Sequence, residues 1–141
     1  MSYFVRPTTN QGIHDKAVKD IARKRFDGVK YDVYTNPGGE KNAYVGSKTN
    51  PIHPDILVLE KGYGLRTAIA IGEIETSDSI TDNEADQWKE YAATKIPFYL
   101  YIPAGNASKA TDILKKKGIK ISGLRTYKYD SLGELIVSNI F

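Results

Sequence analysis

Apolar residues at Ile13, Ala17, Ile21 and Ala22 recur at helical spacing. They predict an amphipathic helix from about Gly12 to Phe26 with a basic outer face. Residues 1–11 show no period and contain a proline, so they read as an irregular lead-in. A strand is predicted over Lys30–Thr35, stopped by Asn36-Pro37-Gly38-Gly39. Residues 40–53 form a polar connection with room for a short strand at Ala43–Val45. Asp55–Glu60 and Leu65–Glu75 read as strands joined by the turn Lys61-Gly62-Tyr63-Gly64, which makes a β-hairpin at the centre of a sheet. Thr81 and Glu84 have capping-box spacing, so a helix is expected from Asp82 to Thr94. Pro97 opens a third apolar strand, Phe98-Tyr99-Leu100-Tyr101-Ile102. A helix from Ser108 to Lys117 ends at Gly118, a residue suited to a left-handed cap. Ile119–Tyr127 and Glu134–Ile140 are the last predicted strands.

The predicted order is α-β-β-β-α-β-α-β-β. It points to the α/β class, with a central mixed β-sheet flanked by helices on both sides. The 141 residues suit one domain spanning 1–141, and no repeat or long linker divides them.

Composition narrows the chemistry. Cysteine is absent, which excludes a disulfide scaffold, a thiol nucleophile and Cys-ligated zinc. With 2 His, a three-histidine zinc site cannot form within one chain. No apolar run reaches membrane-spanning length, and the first residues lack the pattern of a signal peptide. A cytoplasmic protein with no membrane partner is expected. The net charge of +3 is mild, but its distribution is uneven. Residues 14–30 and 91–141 are basic, whereas residues 55–90 carry nine acids against Lys61, Arg66 and Lys89. Such runs are commonly solvated faces. An acidic centre between basic flanks also suits a divalent cation with a polyanion around it.

Asp55 opens one strand of the predicted hairpin, and Glu73 and Glu75 close the other. Antiparallel pairing sets the start of one beside the end of its partner. Glu73 and Glu75 are two apart, so both point to one face, shared with Ile69 and Ile71. Three carboxylates thus converge at the margin of a buried sheet. Crowding unpaired anions there costs several kcal/mol per ion. A hard cation such as Mg2+ or Mn2+ relieves that cost, and it suits phosphodiester hydrolysis. The simpler alternative is that each acid forms a structural salt bridge, with Lys89, Arg66 or Lys95.

Pro54-Asp55, seventeen intervening residues, then Glu73-Ile74-Glu75 resembles the motif of the PD-(D/E)XK nuclease superfamily. Its restriction-endonuclease-like core is a helix, a three-stranded antiparallel meander, a helix and another strand, which is similar to residues 12–102 here. Gln87-Trp88-Lys89-Glu90-Tyr91 has the Gln-x-x-x-Tyr spacing found after the motif in some members. Residues four apart share a helix face, so Gln87 and Tyr91 would face the site or DNA together. Core packing of Trp88 and Tyr91 with Gln87 at the rim is the other reading. One departure is clear: Glu75 stands where the family has a lysine. The resemblance implies Asp55, Glu73 and the Ile74 carbonyl as metal ligands, with Glu75 positioning or deprotonating water. Lys89 is a substitute for the missing lysine, and Asp15 or Asp20 is a further acid from the first helix. Lys16, Lys19 and Arg23 would contact the DNA backbone, contacts that carry no sequence information alone.

His53 beside Pro54-Asp55 reads as a base, a ligand or a structural loop residue, and His14 as a capping or surface residue. Of the 10 tyrosines, several suit base stacking, though Tyr99 and Tyr101 alternate on a strand and suit sheet packing. The leading expectation is a metal-dependent DNA endonuclease for restriction, repair or junction processing, acting as a homodimer or within a larger complex. The alternative is a non-catalytic protein of the same fold that binds nucleic acid or another protein. An enzyme handling sugars or nucleotides with the same carboxylates ranks third.

Overall fold

A computed structural model describes residues 8–37, 43–46, 49 and 51–141 of the chain. The expected turn residues Gly38 and Gly39, and residues 1–7 of the expected lead-in, lie outside the described residues.

The first helix, α1, spans Thr8–Arg25 and so begins four residues before the expected start. Its buried stripe is His14, Ala17, Val18, Ile21 and Ala22, while Ile13 is half exposed. Positions 14, 17, 18 and 21 lie on one helical face. The apolar stripe therefore runs one residue out of phase with the Ile13 reading, and it carries a histidine inward.

Strand β1 (Tyr31–Thr35) pairs antiparallel with β4 (Ile56–Glu60), and β4 pairs antiparallel with β5 (Ala68–Ile74). The connection holds a two-stranded ladder, β2 (Val45–Gly46) with β3 (Pro51–Ile52). Strand β5 starts later than expected, because Tyr63 and Leu65 are fully exposed in the turn before it. A helix, α2 (Asp82–Ala93), then crosses to β6 (Phe98–Pro103), which lies parallel to β5. A further helix, α3 (Ala107–Lys117), crosses to β7 (Gly123–Tyr129), parallel to β6. The chain closes with β8 (Leu135–Asn139), antiparallel to β7. The sheet is six-stranded and mixed, in the order β1-β4-β5-β6-β7-β8. The helix stop at Gly118 is as expected: its φ of 66° is left-handed, and its N–H returns to Leu114 and Lys115 carbonyls. Among the described residues, no helix is long and apolar enough to cross a membrane.

Two apolar clusters flank the sheet. On one face, Ala17, Val18 and Ile21 of α1 pack against Ile56, Val58, Ala70 and Ile74. On the other, Ala85, Trp88 and Tyr91 of α2, with Ile113 and Leu114 of α3, pack against Leu57, Ile71 and Leu100. Ile69 belongs to the α1 face, not to the face of Ile71. A register shift between Val58 and Leu59 in the β4–β5 ladder accompanies that break in alternation.

Candidate acidic site

Glu73 lies near the end of β5 and Glu75 just beyond it, both buried. The third member of their cluster is Glu84, on the first turn of α2. One carboxylate oxygen from each of Glu73, Glu75 and Glu84 lies within 4.8 Å of the others. Thr81 caps the helix by accepting from the Glu84 N–H at 3.2 Å. The reciprocal half of the expected capping box has another donor pairing: the Thr81 N–H goes to the Ser79 carbonyl at 3.0 Å. The Glu84 carboxylate sits in the cluster instead. Its sequence signal is its place on the stripe with Ala85, Trp88 and Tyr91, a buried face where an acid is out of keeping.

The other expected acid, Asp55, immediately precedes β4. Its N–H donates to Glu73 Oε1 at 2.8 Å, and its Oδ2 accepts from the Ile74 N–H at 2.9 Å. Asp55 and Glu73-Ile74 are thus tied in both directions across the β4–β5 pair. The Ile74 side chain is fully buried on the α1 face. Asn36 fixes the approach to Asp55. Its side-chain amide donates to the Pro54 and Ala43 carbonyls, and its own N–H donates to the Asp55 carbonyl.

His14, read from sequence as a capping or surface residue, is only 3% exposed. Its Nε2 is 3.1 Å from Asp55 Oδ2, and its Nδ1 is 3.1 Å from Asp15 Oδ1. The phase of α1 puts it there. Of the two first-helix acids, Asp15 therefore joins the network through His14. Asp20 points elsewhere, bonding Lys16 and Tyr129. These bonds outweigh burial and hold the Asp20 carboxyl below its usual range.

Glu75 has no exposed surface. Ser79 donates to one carboxylate oxygen at 2.5 Å and the Trp88 indole to the other at 3.3 Å. Its backbone carbonyl accepts from the Tyr127 hydroxyl at 2.5 Å. The residue expected to position or deprotonate water is thus enclosed by Ser79 and Trp88. Its charge acts on its neighbours. Burial, followed by the charges of Asp55, Glu75 and Glu84, holds the Glu73 carboxyl well above the ordinary value of 4.5. Three carboxylates this close could hold a cation. The donors are all carboxylate oxygens, which fit a hard divalent ion.

The remaining expected residues are dispersed. Lys89 is exposed on α2, and among the described residues no hydrogen bond or ion pair links it to the cluster. Tyr91 is fully buried, with its hydroxyl donating to the His53 carbonyl and accepting from Gln87 at 3.1 Å. The core reading of the Gln-x-x-x-Tyr pair is thus the observed one, and a ring without exposure cannot stack on a base. The His53 ring is 6.0 Å from that of Tyr44. Lys16 lies 4.0 Å over the Tyr129 ring, while Lys19 and Arg23 are exposed on the outer face of α1.

No protein-family model, no curated protein and no solved structure matches the chain.

Proposed function

We propose that the chain is a metal-dependent hydrolase of DNA phosphodiester bonds. The observation that carries this reading is the convergence of Glu73, Glu75 and Glu84 within 4.8 Å, with Asp55 bonded to Glu73 beside them. The path of the chain adds support. A helix, an antiparallel meander β1-β4-β5, a crossover helix and a parallel β6 follow the order of a restriction-endonuclease-like core. Glu73, Asp55 and the Ile74 carbonyl would hold Mg2+ or Mn2+, with Glu75 and Glu84 adding negative charge behind them. A bound cation would neutralise developing charge on phosphorus and lower the pKa of a water. His14 orients Asp55, and Asn36 fixes the loop that presents it. Lys16, Lys19 and Arg23 offer positive charge to a phosphate backbone. Specificity would come from a homodimer or a larger complex.

One observation favours a second reading, a non-catalytic protein of this fold that binds nucleic acid or another protein. Both Glu75 carboxylate oxygens are already engaged by Ser79 and Trp88, as in a structural network.

A cleavage assay on supercoiled, linear, single-stranded and branched DNA with Mg2+ or Mn2+ separates the two. The proposed activity predicts products that disappear in Glu73→Ala and in Asp55→Asn. Intact substrate under every condition, with DNA binding equal in wild type and Glu73→Ala, would leave the binding reading in its place.

A further inference from the structure

Helix α1 covers one face of the sheet only as far as it runs. It ends at Arg25. A cleft of about 530 Å³ opens there, floored by Val58, Ala70 and Tyr101. Its place is the opposite end of α1 from His14, about 16 Å away at roughly 1.5 Å per residue. The size is that of a small-molecule site.

The walls combine two chemistries. Tyr31 and Tyr99 are half-buried aromatics. Arg25, Lys30 and Arg125 supply three cations. The one acid of the lining, Asp27, already accepts the Val29 and Lys30 N–H groups. Among the described residues, no carboxylate lies within ion-pair distance of Arg25 or Lys30. Arg25 is instead held by a neutral partner, the Asn139 side chain, at 2.9 Å.

Arg125 is the built element. Its guanidinium lies 5.1 Å from the Tyr99 ring centroid, donates to the Phe141 carbonyl, and folds back over Gly123. A Cβ at position 123 would overlap that guanidinium, so the glycine is what admits it. Its Nε is buried and has no hydrogen-bond partner among the described residues.

We infer that this cleft binds a nucleoside monophosphate unit, free or within a single strand. The base would stack on Tyr99 or Tyr31, since every base has a π-face. The phosphate would lie between Arg25, Lys30 and Arg125, as the planar fork of arginine favours. The site is separate from the carboxylates and needs no metal.

The test is calorimetric titration of the full chain in EDTA with deoxyadenosine monophosphate, deoxyadenosine, inorganic phosphate and a deoxyadenosine tetranucleotide. The expected result is saturable binding of the monophosphate at least tenfold tighter than of the nucleoside or phosphate alone. Gly123→Ala should weaken it tenfold or more by displacing Arg125 without changing charge. Arg25→Gln, an exposed change that leaves the fold intact, should weaken it as well. A tetranucleotide that binds tenfold tighter than the monophosphate supports the site with a strand as its source. Equal affinity supports it with the free nucleotide. No binding of the monophosphate and the tetranucleotide, or binding unchanged in Arg25→Gln, overturns the inference. Working without divalent ions keeps that failure distinct from failure of the nuclease reading.

Discussion

The two ends of α1 face opposite electrostatic problems. Near His14 the charges are negative, buried and mutually dependent. Near Arg25 they are positive, on the rim of an open cleft, and largely independent. The difference shows what burial does to charge. At the acidic end, burial leaves little water, and carboxylates there are answered by named donors or shift their proton affinity. Glu75 takes Ser79 and Trp88, Asp55 takes His14 and Ile74, and Glu73 holds its proton more tightly. At the basic end, solvent screens exposed Arg25 and Lys30, and among the described residues neither has a carboxylate partner.

If the acidic end is a coupled unit, its largest single support is Trp88, which is fully buried and donates to Glu75. Trp88→Ala should cost about 3–5 kcal/mol in urea unfolding. Trp88→Phe keeps most of the ring but removes the N–H, and should still cost about 1–3 kcal/mol. A neutral Trp88→Phe would mean that the indole bond does not support the cluster, and the contrast between the two ends would weaken.

A smaller effect follows from Glu73. Its folded proton affinity is raised, so between the ordinary value of 4.5 and its folded value the folded chain binds more protons than the unfolded chain. Stability from this group is therefore complete below the ordinary value and is lost as pH rises through the folded value. The slope approaches about 1.4 kcal/mol per pH unit for one proton. Glu73→Gln should flatten it, read as unfolding midpoints between acidic and alkaline pH in EDTA. A mutant with the wild-type slope would place the shifted proton on another group.

The least effect is expected at the other end. Arg25→Gln should change stability by no more than about 0.5 kcal/mol, because among the described residues its one side-chain bond outside the cleft is to exposed Asn139. A loss of several kcal/mol in the same urea titration would show the cleft rim to be structural rather than open to a ligand.

Much of the architecture was legible along the chain. The hairpin strands, the Thr81 cap, the Gly118 stop and the apolar strand from Phe98 each rest on local chemistry, which a short window records. Less of the site was. Asp55, Glu73 and Glu75 stood out because antiparallel pairing converts sequence spacing into proximity. Glu84 did not, since its capping role offered a sufficient local account of it. His14 was missed through phase: reading the stripe from Ile13 turns the histidine outward, while reading it from 14, 17, 18 and 21 turns it to Asp55. Tyr91 and Lys89 illustrate the reverse, since a motif spacing says which residues share a face but not which face the core claims.

The sequence by itself determined the order of the three helices and the six strands of the main sheet, the absence of thiol chemistry and the presence of an acidic centre between basic flanks. These depend on residue type and on neighbours within a turn or two. Only the tertiary structure decided that Glu84 joins Glu73 and Glu75, that His14 rather than a solvent-facing side chain meets Asp55, and that a cleft opens where α1 ends. Each of these depends on how far one element travels across another. That distance is set by packing across the two faces of the sheet, between residues far apart in the chain.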